Sequence, residues 1–296
     1  MKSPAFDYRD PHTLDEALSI LFEHGEDAKV LAGGQSLVPI MNLRLARPAV
    51  VVDINRIREL SYVSDNEEEI RIGAMTRQAD LETDEGLKRN YPLLPDAIGY
   101  IAHQAIRNRG TIGGSLAHAD PAAELAAVAL CADAEIKIRS RDRVRWVPSR
   151  EFFQGPYMTC LEPVEILEEI RFLRLSATAR TVFLEFSRRE GDFALAGVAA
   201  MLETDEEGCC RQARIALCGA GSVPYRAASV EKILVGERLT PKIVNEAVAV
   251  VTEGLESYSD VHGSSEYREH LARVLTYRAL EMLIGRIKKQ TRPENN

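Results

Sequence analysis

The 296-residue chain has no apolar run approaching the roughly 20 residues that cross a bilayer. The nearest, "PAAELAAVALCADA", is interrupted by Glu124. The opening "MKSPAFDYRD" carries no apolar segment, so neither a secretory signal nor a membrane span is expected. Cys131, Cys160, Cys209, Cys210 and Cys218 form no C-x-x-C pair, which leaves no support for a zinc site or an iron–sulfur cluster in this chain. An odd, scattered set of thiols reads as reduced, and hence as cytoplasmic. The net charge is −8 and the 37 basic residues form no dense cluster. Nucleic acid and anionic membrane are therefore not expected as main partners. Also missing are the G-x-G-x-x-G and P-loop patterns, an H-E-x-x-H metal motif and a legible Ser/His/Asp arrangement.

What the chain does have is 45% apolar residues, enough for a sizeable core divided among two or three packed units. Residues 1–55 read as an opening helix followed by β-α-β. "TLDE" at 13–16 is a capping box before a stripe of Leu14, Ala17, Leu18, Leu21 and Phe22, and Gly25 ends that helix. "KVLA" at 29–32 and "AVVVDI" at 49–54 are short apolar strands. Between them Ser36 is expected to N-cap a helix with Pro39 in its first turn. Residues 56–177 read as an α+β unit. It has strands at "EIRIGAM", "AEIKIRS", "RVRWVP" and "EILEEIRF", and helices over 76–87 and over "LLPDAIGYIAHQAI". A loop "RNRGTIGGSLAHAD" follows, and then a helix opened by Asp120 and Pro121. Residues 178–296 read as three strands, "RTVFLEFSRR", "FALAGVAAMLE" and "ARIALCGAG", and two helices opened by Thr240-Pro241 and Ser265.

Two segments carry a glycine pair beside hydroxyls: Ala32, Gly33, Gly34, Gln35 and Ser36, and Thr111, Ile112, Gly113, Gly114 and Ser115. Glycine lets a ligand lie against bare backbone. Successive N–H groups form an anion nest, and a following helix would add its positive end. Ser36, Thr111 and Ser115 can donate to phosphate oxygens. Together the two segments suit a compact diphosphate held mainly by backbone. A single glycine pair is more often only a turn, and spacing alone does not bring the two together.

The same residues resemble the FAD-binding medium subunit of molybdenum hydroxylases, the group of carbon monoxide dehydrogenase and of the flavin domain of xanthine dehydrogenase. The likeness covers nearly the whole chain. "LAGGQSLVPIMNLRLARP", "VVDINRIREL", "IGAMTR", "IRNRGTIGGSLAHADPAAEL" and "RREGDFALAGVAA" follow in family order. The resemblance implies a vanillyl-alcohol-oxidase-like FAD-binding fold, α+β in class: two N-terminal subdomains clasp FAD, and a C-terminal unit pairs a small antiparallel sheet with helices. It implies that residues 32–36 and 111–115 meet the FAD pyrophosphate and flavin, that Glu124 contacts the cofactor, and that the backbone of Leu167 borders the flavin ring. An acidic residue in a helix first turn is equally expected from the dipole, and as a bare residue Leu167 reads as core ahead of any ligand contact. Gln35 stands where many relatives have His, and Glu185 near a position often Lys.

By the same resemblance the chain is an electron-transfer subunit. It takes electrons from two [2Fe–2S] clusters of a small partner, which is fed by a large molybdenum–pterin partner, and passes them to NAD, a quinone or oxygen. A dimer of heterotrimers is expected. A stand-alone FAD oxidoreductase and a flavin-binding structural scaffold are the alternatives. His118, Arg107 and Arg109, and Arg188, Arg189 and Phe193 in "RREGDF", stand near the matched blocks. Their ordinary readings are loop residues, solvated charges and an interface aromatic.

Overall fold

The computed structural model describes residues 2–290. They form two compact units, each assembled from separate stretches: residues 2–83, 103–119 and 133–173 in the first, and 84–102, 120–132 and 174–290 in the second.

In the first unit, β1 (Asp7–Arg9), β2 (Ala28–Leu31) and β3 (Val50–Asp53) form a parallel sheet in the order β1-β3-β2. The Leu14–His24 helix covers it. Its capping box is closed by the Glu16 N–H donating to Thr13 Oγ1 at 3.2 Å and the Thr13 N–H donating to Glu16 Oε2 at 3.3 Å, a device that stabilises a helix by about 1 kcal/mol. The 3.6-residue period puts Leu14, Ala17, Leu18 and Leu21 against Ala28, Val50, Val52 and Ile54. Each fully buried leucine contributes about 2 kcal/mol. β1 has no sequence signal, because its three residues, Asp-Tyr-Arg, are all exposed; it adds through its backbone ladder and through the Tyr8 hydroxyl, which donates to Asp53 Oδ2 on β3 at 2.6 Å. The second sheet runs β4 (Val63–Asp65), β5 (Glu69–Gly73), then β10 (Ile166–Leu173), β6 (Glu135–Arg139) and β7 (Val144–Pro148), all antiparallel. A short hairpin of β8 (Phe153–Gly155) and β9 (Met158–Thr159) lies beside it in sequence.

In the second unit, β11 (Arg180–Phe186), β12 (Ala196–Thr204), β13 (Cys210–Cys218) and β14 (Tyr225–Arg226) form an antiparallel sheet in chain order. Helices Leu93–Ile98 and Glu124–Cys131 pack on β11 and on β12 and β13 respectively. Thr240 caps the Pro241–Ala249 helix as expected. The long Ser265–Gln290 helix buries Leu271, Ala272, Leu275, Ala279, Leu280 and Leu283 in the core.

Several expected elements are divided. The helix expected over 76–87 is two, Gln78–Thr83 and Glu85–Asn90, because Asp84 leaves helical geometry to accept from the Leu87 N–H at 2.9 Å. The one expected over 93–106 ends at Ile98 and resumes at Gln104. The helix expected at Asp120 begins at Glu124. Asp120 Oδ1 accepts from the Ala122 N–H at 2.9 Å, and the Pro121 carbonyl accepts from the Gly219 N–H at 2.7 Å. These bonds hold the entry as a turn. "RNRGTIGGSLAHAD" is no loop: Ile112–His118 is helical.

Arg268 ties the second unit together. It is 2% exposed, and its Nη1 donates to the carbonyls of Leu195 at 3.0 Å and Gly219 at 2.6 Å. Its Nη2 meets Asp260 at 2.8 Å, and its guanidinium stands 4.4 Å from the Tyr258 ring centroid. One buried cation thereby satisfies two turn carbonyls that hydrocarbon would strand. Arg268→Ala is expected to lower the unfolding free energy by about 3 kcal/mol, read by chemical denaturation. A loss below about 1 kcal/mol would show that this arginine behaves as a surface charge.

Candidate functional site

Both glycine segments belong to the first unit, and the fold brings them into contact. A Cβ on Gly33 would overlap the carbonyl oxygen of Arg109 and stand 2.9 Å from Gly110 Cα. A Cβ on Gly114 would stand 3.3 Å from Ala32 Cβ and 2.7 Å from Thr111 Oγ1. Gly34 has φ +74, a left-handed conformation that favours glycine.

Backbone hydrogen bonding separates the two segments. In the second, Thr111 is a true N-cap: its Oγ1 accepts from the Gly114 N–H at 3.1 Å. The N–H groups of Ile112, Gly113 and Ser115 are taken by the carbonyls of Thr76, Ala74 and Thr111. This glycine pair packs backbone on backbone and offers no nest, contrary to the expectation that it presents successive free N–H groups. A Cβ on Gly113 would stand 2.8 Å from the Ala74 carbonyl oxygen. In the first segment, by contrast, the N–H groups of Gly33, Gly34, Gln35, Ser36 and Leu37 have no acceptor among the described residues. Ser36 precedes the Leu37–Asn42 helix, but its side chain makes no capping bond, which corrects the expected cap and leaves its hydroxyl available. Gln35 Nε2 donates to the Gly33 carbonyl at 2.9 Å, fixing the turn from within. The arrangement is a run of five donors aimed by a tight turn, suited to an anion with several oxygens.

Two residues to which the sequence reading assigned no role hold the segments in register. Asn55, just after β3, donates from Nδ2 to the Ala32 carbonyl at 2.8 Å and to Asp53 Oδ1 at 2.5 Å. Arg77 donates from Nη2 to Asn55 Oδ1 at 2.6 Å and from Nη1 to the Arg109 carbonyl. The chain Ala32–Asn55–Arg77–Arg109 therefore bridges the first glycine segment to the residue leading into the second. Burial, with Arg109 beside it, holds the Arg77 guanidinium below the usual range. Both residues fall in matched blocks, "VVDINRIREL" and "IGAMTR", but nothing in their spacing announces a mutual contact.

The other predicted residues are placed as follows. Leu167 is buried in β10 in the first unit, at a bulge between it and Glu169. Glu124 opens its helix in the second unit and is buried. Its carboxyl lies close enough to that of Glu185 on β11 for the two to interact, and among the described residues Glu185 Oε2 is buried without a donor. Two carboxyls bond to each other only through a proton. Arg107 is committed to Glu82 at 2.8 and 3.1 Å. His118 stands 5.2 Å from Tyr157, ring to ring, and Arg188 lies 3.2 Å from His262. Phe193 is 77% exposed.

Burial pushes both carboxyls of the Glu pair up, Glu124 to about 7 and Glu185 to about 9, the second also through the negative charge of Glu124. The folded state therefore binds protons more tightly than the unfolded one. This contribution to stability is fully present below the ordinary value of 4.5 and is lost as pH rises through about 7 and about 9. Glu185→Gln keeps a hydrogen-bond donor and removes one titration. It is expected to raise the thermal midpoint near pH 8 and to flatten its pH dependence, read by scanning calorimetry across pH. Parallel curves for the two proteins would show that the pair shares no proton.

Comparison with known proteins places this geometry in a family. The model for the FAD binding domain in molybdopterin dehydrogenase matches residues 4–172, and that for the CO dehydrogenase flavoprotein C-terminal domain matches 181–283. The chain is 41% identical to the 6-hydroxypseudooxynicotine dehydrogenase complex subunit alpha of Paenarthrobacter nicotinovorans, over 97% of each chain. It is 38% identical to the caffeine dehydrogenase subunit beta of Pseudomonas sp. strain CBB1, also over 97% of each. The solved carbon monoxide dehydrogenase of Hydrogenophaga pseudoflava superposes with a TM-score of 0.94 at 36% identity, covering 97% of this chain and 99% of that one. The fold is that of the FAD subunit of carbon monoxide dehydrogenase, with a C-terminal antiparallel sheet. Its first unit carries the glycine turn with five free N–H donors, and the chain belongs to the FAD-binding medium-subunit family of the molybdenum hydroxylases.

Proposed function

We propose that this chain holds FAD as the electron-relay subunit of a molybdenum hydroxylase. The observation that carries the reading is the run of free N–H groups from Gly33 to Leu37, which fits a diphosphate without any lysine cluster. When bound, FAD supplies the redox centre. The chain's own part is to bind and orient it. Ala32, Gly33, Gly34, Gln35 and Ser36 cradle the diphosphate. The segment Thr111, Ile112, Gly113, Gly114 and Ser115 supplies close-packed backbone and hydroxyls. Leu167 and Glu124 keep the cofactor contacts that the resemblance assigns them. In the same reading residues 1–55 and 56–177 are the two FAD subdomains and 178–296 the C-terminal domain.

The partners we propose are a large molybdenum–pterin subunit and a small subunit with [2Fe–2S] clusters, assembled as a dimer of heterotrimers in the cytoplasm. Relatives named as subunits or medium chains of dehydrogenase complexes support this. So does a sequence without cluster-type cysteine spacing. Electrons arrive from the clusters and leave to an external acceptor. Among the described residues, no helix is long and apolar enough to cross a membrane.

Two hydroxyl substitutions separate binding from folding. Ser36→Ala removes a side chain that caps nothing. It is expected to weaken FAD binding about tenfold, near 1.5 kcal/mol for a bond to a charged group, with the apo-protein midpoint unchanged. Thr111→Ala removes the cap on the Gly114 N–H and is expected to cost about 1 kcal/mol of stability before any ligand is added. Unchanged FAD affinity in Ser36→Ala, by fluorescence titration, would remove the hydroxyl from the site.

The relay itself is tested by anaerobic absorbance. The isolated chain loaded with FAD is expected to stay yellow with any substrate that the assembled complex oxidises, whereas in the complex the clusters and the flavin are reduced together. Rapid bleaching of the isolated chain would identify a stand-alone oxidoreductase instead.

A further inference from the structure

The second unit contains a cleft of about 440 Å³ walled by four arginines, Arg89, Arg174, Arg180 and Arg286, with Asn90 and Ser176 between them. Among the described residues, none that lines it is acidic. The bonds that orient three of these side chains all run to backbone carbonyls. Arg89 Nε donates to Glu85 at 3.1 Å, Arg180 Nη1 to Ala177 at 3.0 Å and Ala179 at 2.6 Å, and Arg286 Nη1 to Thr181 at 2.6 Å. Carbonyls fix a guanidinium in place without neutralising it. Each of these three forks keeps further N–H donors that have no acceptor among the described residues. Among the described residues, the acids near Arg89, Arg180 and Arg286 are engaged elsewhere or offset only part of their charge. Glu85 pairs with Lys88 at 2.9 Å, Glu203 accepts from Thr178 at 2.9 Å, and Asp96 interacts electrostatically with Arg286. On a chain of net charge −8 this is a local reversal of sign, and a concave wall focuses it. Planar guanidinium forks match the oxygens of phosphate groups.

We propose that this cleft binds a compact anion bearing two linked phosphate groups, either as free diphosphate or as the phosphate end of a nucleotide. The site lies in the other unit from the glycine segments and does not depend on their role.

The test uses the full chain loaded with FAD, so that the glycine segments are occupied, and titrates inorganic pyrophosphate and ADP by calorimetry. Binding of pyrophosphate is expected with a Kd below about 1 mM at about 50 mM salt, weakening several-fold at about 200 mM salt. Arg89 and Arg286 are exposed, so the double variant Arg89→Gln/Arg286→Gln is expected to keep the wild-type thermal midpoint. It should bind at least about tenfold more weakly. Arg180→Lys, which keeps charge but loses the fork, is expected to fall between, and reads the site by itself should the double variant unfold. Equal affinity for ADP and pyrophosphate would assign recognition to the diphosphate alone, and tighter ADP binding would add the nucleoside. No binding of either at about 5 mM, or binding indifferent to salt and to the variants, overturns the proposal. If the chain takes up no FAD, the same titrations on the unloaded chain still read the cleft through the variants.

Discussion

Gly33 lies so close to the carbonyl of Arg109 that no side chain fits between them, and the first unit's candidate site is arranged around that approach. Two stretches far apart in sequence meet backbone to backbone. A side-chain relay through Asn55 and Arg77 closes the meeting by taking one carbonyl from each. With the carbonyl sides satisfied, the donor side of the first turn is what remains open. The arrangement divides the two glycine pairs into different tasks. One keeps its N–H groups available, and the other gives them up to pack against Ala74 and Thr76.

Elements with a strong local signal were legible from sequence: the capping box at Thr13, the apolar stripe behind it from Leu14 to Leu21 though not Phe22, which is exposed, the three apolar strands of the second unit and the Thr240-Pro241 helix start. Breaks in helical segments were not. Asp84 and Asp120 interrupt expected helices by binding nearby N–H groups with their own carboxylates, a competition that hydropathy does not register. Asp7–Arg9 and the short hairpin partner Val63–Asp65 are largely exposed strands, and their sequences carry no apolar alternation that announces a sheet. Within the site, the glycine pairs were visible as motifs, but their opposite hydrogen-bonding states depend on tertiary partners. Asn55 with Arg77, and Glu124 with Glu185, are pairs made by folding, and nothing in their spacing announces that they meet.

The second unit handles buried charge in two opposite ways. Arg268 stays charged because it is surrounded by carbonyl oxygens, a carboxylate and an aromatic face. Glu124 and Glu185 meet no cation among the described residues, and burial drives them to keep a proton instead. Electrostatic self-consistency here is local, and the net charge of the chain predicts neither solution.

The second unit draws its helices at 93–98 and 124–131 from the middle of the chain and its sheet from beyond residue 174. During synthesis the first unit has all of its residues once 173 has emerged. The two helices must then wait, their apolar faces uncovered, until β11 to β13 are made. Vectorial synthesis therefore exposes a partly built core for the time needed to translate those strands, about several seconds at ordinary elongation rates. It is the interval in which a nascent chain of this topology most needs a chaperone.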